Sequence, residues 1–126
     1  MRSASMPCTV IYSSIFEEWL KSCSQSLQNE VLAHVELLSM MGVKLPFPHS
    51  SKIKGTTLAG MRELRFKHEK REIRILYIFD PLRQAILLAG GDKTGSKNWY
   101  EKNVPLAEGV YLDYLKYLKD NGGDIQ

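Results

Sequence analysis

The order of apolar and polar positions in the first half of the chain predicts one strand followed by two helices. Residues Cys8–Tyr12 form a short run rich in β-branched side chains, which is typical of a strand. Ser14 followed by Glu17 fits a capping box, so a short helix is expected to begin at Ser14. Apolar residues then recur at helical spacing over Leu27–Met41, and Gly42 is placed to end this second helix.

The second half of the chain predicts three strands, expected at Met61–Phe66, Ile73–Phe79 and Gln84–Ala89. The middle segment is apolar on nearly both faces, which favours a central position in a sheet. Asp80-Pro81 supplies turn chemistry between the last two strands. Because all these connections are short, consecutive antiparallel hairpins are the simplest topology.

A last helix is expected after a polar loop that runs to about Asn103, with Pro105 in the first helical turn. Together the elements predict an α+β fold: a single domain over residues 1–126, with a mainly antiparallel sheet of about four strands, helices packed on one sheet face and a C-terminal helix. The other sheet face would then carry Lys and Arg. Residues 1–7 and 120–126 are expected to be flexible.

Basic residues are concentrated in the part of the chain that is predicted to form the sheet. Residues 52–102 contain twelve Lys and Arg against six Asp and Glu, a net charge of +6, although the whole chain carries only +3. A basic cluster over strands is the pattern expected of a surface that binds a polyanion, most often nucleic acid. Solvation of strand ends and turns by Lys and Arg is the alternative explanation of the same pattern.

Composition and motifs argue against several other classes of protein. No apolar run approaches the ~18 residues needed to span a bilayer, and the N-terminus lacks the apolar core of a secretory signal, so a cytoplasmic location without membrane contact is expected. The two cysteines and three histidines show no metal-ligand spacing, and neither a metal nor a small-molecule cofactor is expected. The segment Gly90–Gly95 does not fit the P-loop template, because Asp92 rather than a glycine precedes Lys93.

Two arginines mark the hairpin between the first two of the three predicted strands. If the turn centres near Glu69–Lys70, Arg65 lies directly opposite Arg74, with Cβ atoms ~5 Å apart on one solvent-accessible sheet face. Two cations at this distance are unfavourable unless an acid or a bound anion compensates, and Glu63 lies on the same side. Packing of both arginine stems at the sheet edge is the alternative, and a one-residue change of register would separate the pair.

The polar loop after the last strand combines cations with aromatic rings. Lys93 and Lys97 precede Trp99 and Tyr100, and Lys102 follows them. Aromatic faces among cations suit unstacked RNA bases and a phosphate backbone. Trp99 is interpreted as a core residue beneath the loop, and Tyr100 as an exposed one.

Several short runs, taken together in their order and spacing, resemble those of a known family. From about Val10 to Leu118 the chain resembles the phage-derived Gp49-like/HigB-like branch of the RelE/ParE toxin superfamily. The runs are Met61-Arg-Glu-Leu-Arg65, Ile73-Arg-Ile-Leu-Tyr-Ile-Phe79, Asp80-Pro-Leu-Arg83, Gly91-Asp-Lys-Thr-Gly95, Trp99-Tyr-Glu-Lys102 and Val104-Pro-Leu-Ala107.

The resemblance implies a RelE-like toxin of a type II toxin–antitoxin system, encoded beside a helix-turn-helix antitoxin. HigB- and RelE-like members cleave mRNA in the ribosomal A site, so the resemblance implies a metal-independent endoribonuclease that binds mRNA on the ribosome and inhibits translation. The family's basic strand residues match Arg65 and Arg74, its basic loop matches Lys93 and Lys97, and Tyr100 joins the site by position.

The predicted catalytic set is therefore Arg65, Arg74, Lys93 and Tyr100. Proton transfer by Lys93, Lys97 or Tyr100 would need a pKa well below the usual ~10, and the cluster of cations is expected to lower it. The predicted RNA-binding residues are Lys52, Lys54, Arg62, Lys67, Lys97 and Lys102.

Two other functions are compatible with the same residues. One is that of a ParE-type toxin, which inhibits DNA gyrase by protein–protein contact without nuclease activity. The other is that of an inactive relative that retains RNA binding or antitoxin binding.

Overall fold

A computed structural model describes residues 8–122 of the chain. Within this range the chain forms five strands, three α-helices and one short 3-10 helix. In chain order the elements are β1 (Val10–Tyr12), α1 (Ser14–Ser22), α2 (Gln25–Met41), the 3-10 helix (Gly42–Lys44), β2 (Ser50–Lys52), β3 (Arg62–His68), β4 (Arg71–Phe79), β5 (Ala85–Asp92) and α3 (Trp99–Asp120).

The five strands of residues 8–122 form one sheet in the order β1-β5-β4-β3-β2. β4 is central, as its two apolar faces predicted. Only β1 runs parallel to its neighbour, so the prediction of an α+β fold with a mainly antiparallel sheet is confirmed. The sheet has one strand more than predicted, because β2, with the sequence Ser50-Ser-Lys52, is too short and polar to give a strand signal.

Helices cover both faces of the sheet, and the prediction that they cover one face is wrong. Successive strand residues point to opposite sides. Ile75 and Leu87 pack against α1 and α2, whereas Leu76 and Ile86 pack beneath α3. The physical reason lies in β4 itself, because a strand that is apolar on both sides needs apolar cover on both sides.

α1 begins at Ser14 as predicted but has a different capping residue, and α3 begins earlier than predicted. Ser13, rather than Ser14, caps α1, and its Oγ accepts a hydrogen bond from the Phe16 N–H at 3.1 Å. α3 begins at Trp99, so Pro105 lies in its interior instead of its first turn. Trp99 is only 6% exposed, and burial of this large ring outweighs the hydrogen bond that the proline cannot donate.

Two adjacent glycines lie inside β5, which continues to Asp92 instead of leaving the sheet before them. A Cβ atom on Gly90 would overlap the ring of Trp19, and one on Gly91 would lie 2.7 Å from Trp99 Nε1. The two glycines therefore make room for one tryptophan on each face of the sheet.

Of the ends predicted to be flexible, 1–7 and 120–126, residues 1–7 and 123–126 lie outside the described part of the chain, and Asp120 is the last residue of α3. Within residues 8–122, none of the helices is both long enough and apolar enough to cross a membrane.

Candidate functional site

The two arginines that were predicted to face each other do so. Arg65 of β3 pairs directly with Arg74 of β4, around a turn at Glu69–Lys70. Both turn residues have positive φ, 49° and 69°, as a two-residue type I′ hairpin turn requires. The two arginines point to the α3 side of the sheet, because the neighbouring Leu64 packs with α1 and α2.

Arg74 is buried, and the expectation that its guanidinium faces solvent is wrong. Arg74 is 5% exposed, its Nη2 lies 3.1 Å from Glu72 Oε1, and its Nη1 donates to Ile73 O at 2.9 Å. Its Nε donates to the Tyr100 hydroxyl at 3.3 Å and lies 3.6 Å from Glu63 Oε1. Arg74 is buried because α3 begins early, at Trp99, and Tyr100 therefore packs over this part of the sheet.

Arg65 is half-buried and differs from Arg74 in its partners. Its guanidinium carbon lies 5.2 Å from the centroid of the exposed Phe47 ring, within the range of a cation–π contact. Its Nε is buried and meets no hydrogen-bond acceptor among residues 8–122, and within the same range no carboxylate forms an ion pair with it. Arg65 is therefore the cation of this pair whose charge is not balanced by a carboxylate among the described residues.

Tyr100 connects α3 to the arginine pair. Its hydroxyl donates a 2.7 Å hydrogen bond to Glu63 Oε1, and Glu63 itself is only 5% exposed. Burial, together with this carboxylate, raises the pKa of Tyr100 above its ordinary value of 10.0, against the opposing effect of Arg74. The expectation that nearby cations lower the Tyr100 pKa is wrong, because its nearest charge is an anion that disfavours the phenolate.

Lys93 borders the same cluster from the loop after β5. Its Nζ lies 5.9 Å from the centroid of the Tyr100 ring and 3.9 Å from Glu72 Oε1. The Lys93 N–H donates to Glu72 O at 2.9 Å, which fixes the start of the loop against β4. Trp99 is buried, as interpreted from the sequence. Tyr100 was interpreted as exposed but is half-buried, because its hydroxyl reaches Glu63 and Arg74 on the sheet.

The predicted RNA-binding residues divide between the two faces of the sheet. Lys67 is exposed and lies on the same side of β3 as Arg65, two residues away. Lys52 pairs with Arg62, so both point to the opposite side, where Arg62 Nε donates to Ser50 Oγ at 2.9 Å. Three further lysines are exposed in the loops around the start of α3 or on its first turn: Lys54, Lys97 and Lys102.

A cavity of about 410 Å³ opens along the edge of β3, beyond the residues that pair with β2. This volume is in the range of small-ligand sites. α2 contributes His34, whose ring stacks on Phe66 with centroids 4.0 Å apart and whose pKa is lowered from 6.5 by burial. The charged and titratable residues that line the cavity are Glu30, His34, His49, Arg65, Lys67, Glu72 and Arg74.

Sequence reasoning placed Glu63 beside the arginines but missed Glu72 and the histidines of the cavity. Glu72 pairs with Lys67 in the hairpin, so the predicted register already placed its side chain on the arginine face. His34 and His49 come from α2 and a loop, and no spacing in the sequence predicts that they meet at one cavity. Among the described residues, no three His, Cys, Asp or Glu side chains are grouped so that they could hold a metal ion.

The arrangement of sheet and helices is that of the RelE fold. A free mutant form of the E. coli toxin RelE matches with a TM-score of 0.57, over 76% of this chain and 94% of that chain, at 8% sequence identity. Residues 18–111 match the family of phage-derived Gp49-like proteins (DUF891), and the chain belongs to this family.

Two curated relatives come from Mycobacterium tuberculosis (strain H37Rv). The putative toxin HigB3 is 42% identical over 108 residues, which cover 85% of this chain and 91% of that protein. The putative toxin HigB2 is 35% identical over 104 residues, which cover 81% of this chain and about half, 52%, of that protein. The similarity to HigB-like toxins thus extends over most of the chain.

Proposed function

We propose that this protein is the toxin of a type II toxin–antitoxin system and that it cleaves mRNA bound to the ribosome. The Gp49-like family, the two relatives named as putative toxins and the RelE fold support the first part of the proposal. The observation that carries the second part is the cluster of Arg65, Arg74, Lys93 and Tyr100 beside an open cavity.

The cluster suits RNA cleavage without a metal. In this reaction the 2′-hydroxyl loses its proton to a base and attacks the adjacent phosphorus. The bond to the 5′-oxygen breaks as that oxygen takes up a proton, and negative charge grows on the phosphoryl oxygens. Fixed cations stabilise that charge without reorganisation. Arg65, which lines the cavity and pairs with no carboxylate within residues 8–122, would bind the phosphate. Arg74, held by Glu63 and Tyr100, would present a second guanidinium at a fixed position.

Tyr100 is suited to donate a proton rather than to accept one. Its raised pKa keeps the phenol protonated at neutral pH, and a protonated phenol can supply the proton that the leaving 5′-oxygen needs. Lys93, close to the same ring, would add positive charge near the leaving group. The chemistry requires a 2′-hydroxyl, so the proposed substrate is RNA and not DNA.

A toxin of this kind requires a partner that masks it in the cell. The expected partner is a helix-turn-helix antitoxin that is acidic where it meets residues 52–102, because this segment carries a net charge of +6. A stable 1:1 complex would bury ~1,600 Å² or more.

The proposal is tested by cell-free translation with the purified chain, followed by primer extension on the mRNA. We expect translation to stop and cuts to appear in ribosome-bound mRNA, and addition of the antitoxin to prevent both. Arg65→Gln should lower the cleavage rate by about 10²-fold. Arg83→Gln removes the same charge from the exposed turn between β4 and β5, at the other end of the sheet, and should leave the rate unchanged.

Two results would contradict the proposal. Intact mRNA and undisturbed translation over a wide range of toxin concentration would exclude the nuclease. Growth arrest with intact mRNA and DNA damage would instead identify a toxin that acts on DNA gyrase.

A further inference from the structure

One acidic side chain lies between the cations of the proposed RNA site. Glu72 Oε1 is 3.1 Å from Arg74 Nη2 and 3.9 Å from Lys93 Nζ. The Glu72 side chain is 38% exposed and lines the cavity at the edge of β3 together with Arg65 and Arg74. A carboxylate thus occupies the point where two cationic donors converge next to an open cavity.

The other contacts of Arg74 do not depend on Glu72. Its Nε is fixed by the Tyr100 hydroxyl and Glu63, and its Nη1 by the carbonyl oxygen of Ile73. Only Nη2 is directed at Glu72. If the Glu72 carboxylate moved away, the guanidinium would keep its position and present this N–H group to another anion.

The backbone of Glu72 is anchored, so its side chain is the part that can move. The Glu72 N–H donates to Thr94 Oγ1 at 2.7 Å, and the Glu72 carbonyl oxygen accepts from the Lys93 N–H at 2.9 Å. Rotation of the partly exposed side chain would bring the carboxylate into water without disturbing β4 or the loop. This geometry distinguishes Glu72 from Glu63, which is buried and hydrogen-bonded to Tyr100.

We propose that the position of the Glu72 carboxylate, between Arg74 Nη2 and Lys93 Nζ, is a phosphate-binding site of the RNA, and that Glu72 occupies it in the free protein as an internal competitor. An RNA phosphate displaces the carboxylate, gains both donors and lies beside Arg65. Glu72 thereby weakens binding of any single anion, and a substrate that also engages the surrounding cations overcomes this competition. The inference rests on the proposed RNA-cleaving function, since RNA supplies the phosphate.

The test measures binding without cleavage. A short 2′-O-methyl RNA cannot be cut, because its 2′-oxygen is no longer a nucleophile, and its affinity for the full chain is measured by fluorescence anisotropy over a series of salt concentrations. Glu72→Gln keeps the size of the side chain and removes its charge. We expect it to bind the RNA about three- to fivefold more tightly, from the loss of one competing ion pair.

Glu69→Gln is the matched control. Glu69 lies in the turn of the same hairpin and its side chain is 76% exposed, so the substitution removes the same charge nearby without vacating the position between Arg74 and Lys93. If Glu72→Gln binds no more tightly than Glu69→Gln, the proposal is overturned. Thermal unfolding of each variant shows whether it is folded. If Glu72→Gln does not fold, Glu72→Asp replaces it, because the shorter side chain withdraws the carboxylate but keeps its charge. Glu72→Asp is expected to show a smaller gain in RNA affinity than Glu72→Gln. No gain in affinity would overturn the proposal.

A double variant tests the second donor. In Glu72→Gln combined with Lys93→Gln, the vacated position has lost one of its two cations, so most of the gain in affinity should disappear. A double variant that binds as tightly as Glu72→Gln alone would show that the phosphate does not lie there. Binding and cleavage are separate readouts: intact mRNA in cell-free translation would refute the nuclease, while the comparison of Glu72→Gln with Glu69→Gln would still decide this site.

Discussion

At the scale of single residues, the glycines of β5 connect the packing of the core to the geometry of the site. Gly91 lies beneath Trp99, and Trp99 is followed in α3 by Tyr100, which bonds both Glu63 and Arg74. Gly91, which has no side chain, therefore helps to determine where the hydroxyl of Tyr100 lies.

Gly91→Ala should damage both stability and activity. The added Cβ would lie 2.7 Å from Trp99 Nε1, so the buried indole must shift, at a cost of about 1–3 kcal/mol. RNA cleavage should fall as well, because Tyr100 shifts with the start of α3. Urea unfolding and a cleavage assay measure the two effects. Gly109→Ala is the control: nothing lies within 4 Å of the new Cβ on this exposed helical residue, and the substitution should stabilise the protein by about 0.5–1 kcal/mol.

Tyr100→Phe tests the hydroxyl alone. Loss of its hydrogen bonds with Glu63 and Arg74 should cost about 1–2 kcal/mol of the free energy of unfolding. If Tyr100 is the proton donor, kcat should fall by about 10²-fold with little change in KM. Equal activity of the variant and the parent in steady-state cleavage would remove Tyr100 from the catalytic set. Tyr117→Phe, on an exposed residue of the same helix, controls for the loss of a phenol.

The arginine pair also shows how far the sequence predicts the site. The register of the hairpin was predictable because alternation of apolar residues fixes which side each residue faces, so Arg65 and Arg74 meet as expected. The burial of Arg74 was not predictable. It depends on α3 starting at Trp99, and Pro105 and the polar residues after Asp92 favour a loop there. Packing of Trp99 against Gly91 of β5 overrides that local preference.

At the scale of elements, the C-terminal half of α3 is fixed to the turn between β4 and β5. The Tyr114 hydroxyl donates to Asp80 Oδ2 at 2.8 Å, and the buried Asp80 also accepts from the N–H and the side-chain amide of Gln84. The turn was predictable from Asp80-Pro81. Its partner on α3 was not, because the tyrosine is 34 residues away in the chain.

Tyr114→Phe should destabilise the protein by about 1–2 kcal/mol at neutral pH. Burial and Asp80 raise the pKa of Tyr114 above its ordinary 10.0, so the folded protein retains a proton that the unfolded chain releases. The contribution of this hydroxyl is therefore complete below pH 10 and is lost as the pH rises further. Unfolding curves of the variant and the parent should differ by this amount at pH 7 and should converge as the pH rises above 10. Tyr117→Phe, three residues further along α3 and exposed, should match the parent at every pH.

Glu108 fixes a second element, the loop between β2 and β3. One of its carboxylate oxygens accepts from the N–H and hydroxyl of Thr57 and from the hydroxyl of Thr56, within 2.7–3.1 Å. These bonds lower the pKa of Glu108 below its ordinary 4.5. The stabilisation they give is present above pH 4.5 and is lost as the pH falls through the lower pKa of the folded protein.

Glu108→Gln should loosen this loop without unfolding the domain. The loop carries Lys54, which lines one cavity with Tyr100 and Glu108. We expect faster amide hydrogen exchange over residues 54–60 and weaker RNA binding, with little change in the exchange of β4. Unchanged exchange in the loop would show that the carboxylate does not hold it. Glu101→Gln, an exposed residue two turns earlier on α3, is the control.

At the scale of the whole molecule, apolar packing and cationic chemistry share one side of the sheet. α3 and the residues beneath it form one of the two core clusters, yet Arg65, Arg74 and Tyr100 lie at the border of that cluster. The predicted division into a packed face and a basic face fails for this reason. The cations Arg65, Lys67 and Arg74 lie instead along one edge of the sheet, where β3 extends past β2 and α3 begins.

The parallel pairing of β1 with β5 has a consequence for the time at which the protein becomes active. Residues 10–12 are made early, but their partners at 85–87 come more than seventy positions later, and Tyr100 follows only after those. During translation the sheet therefore cannot close, and the proposed site cannot assemble, until nearly all of the domain has left the ribosome. If the chain acts on the ribosome as proposed, it acquires the complete site only when most of its own synthesis is finished.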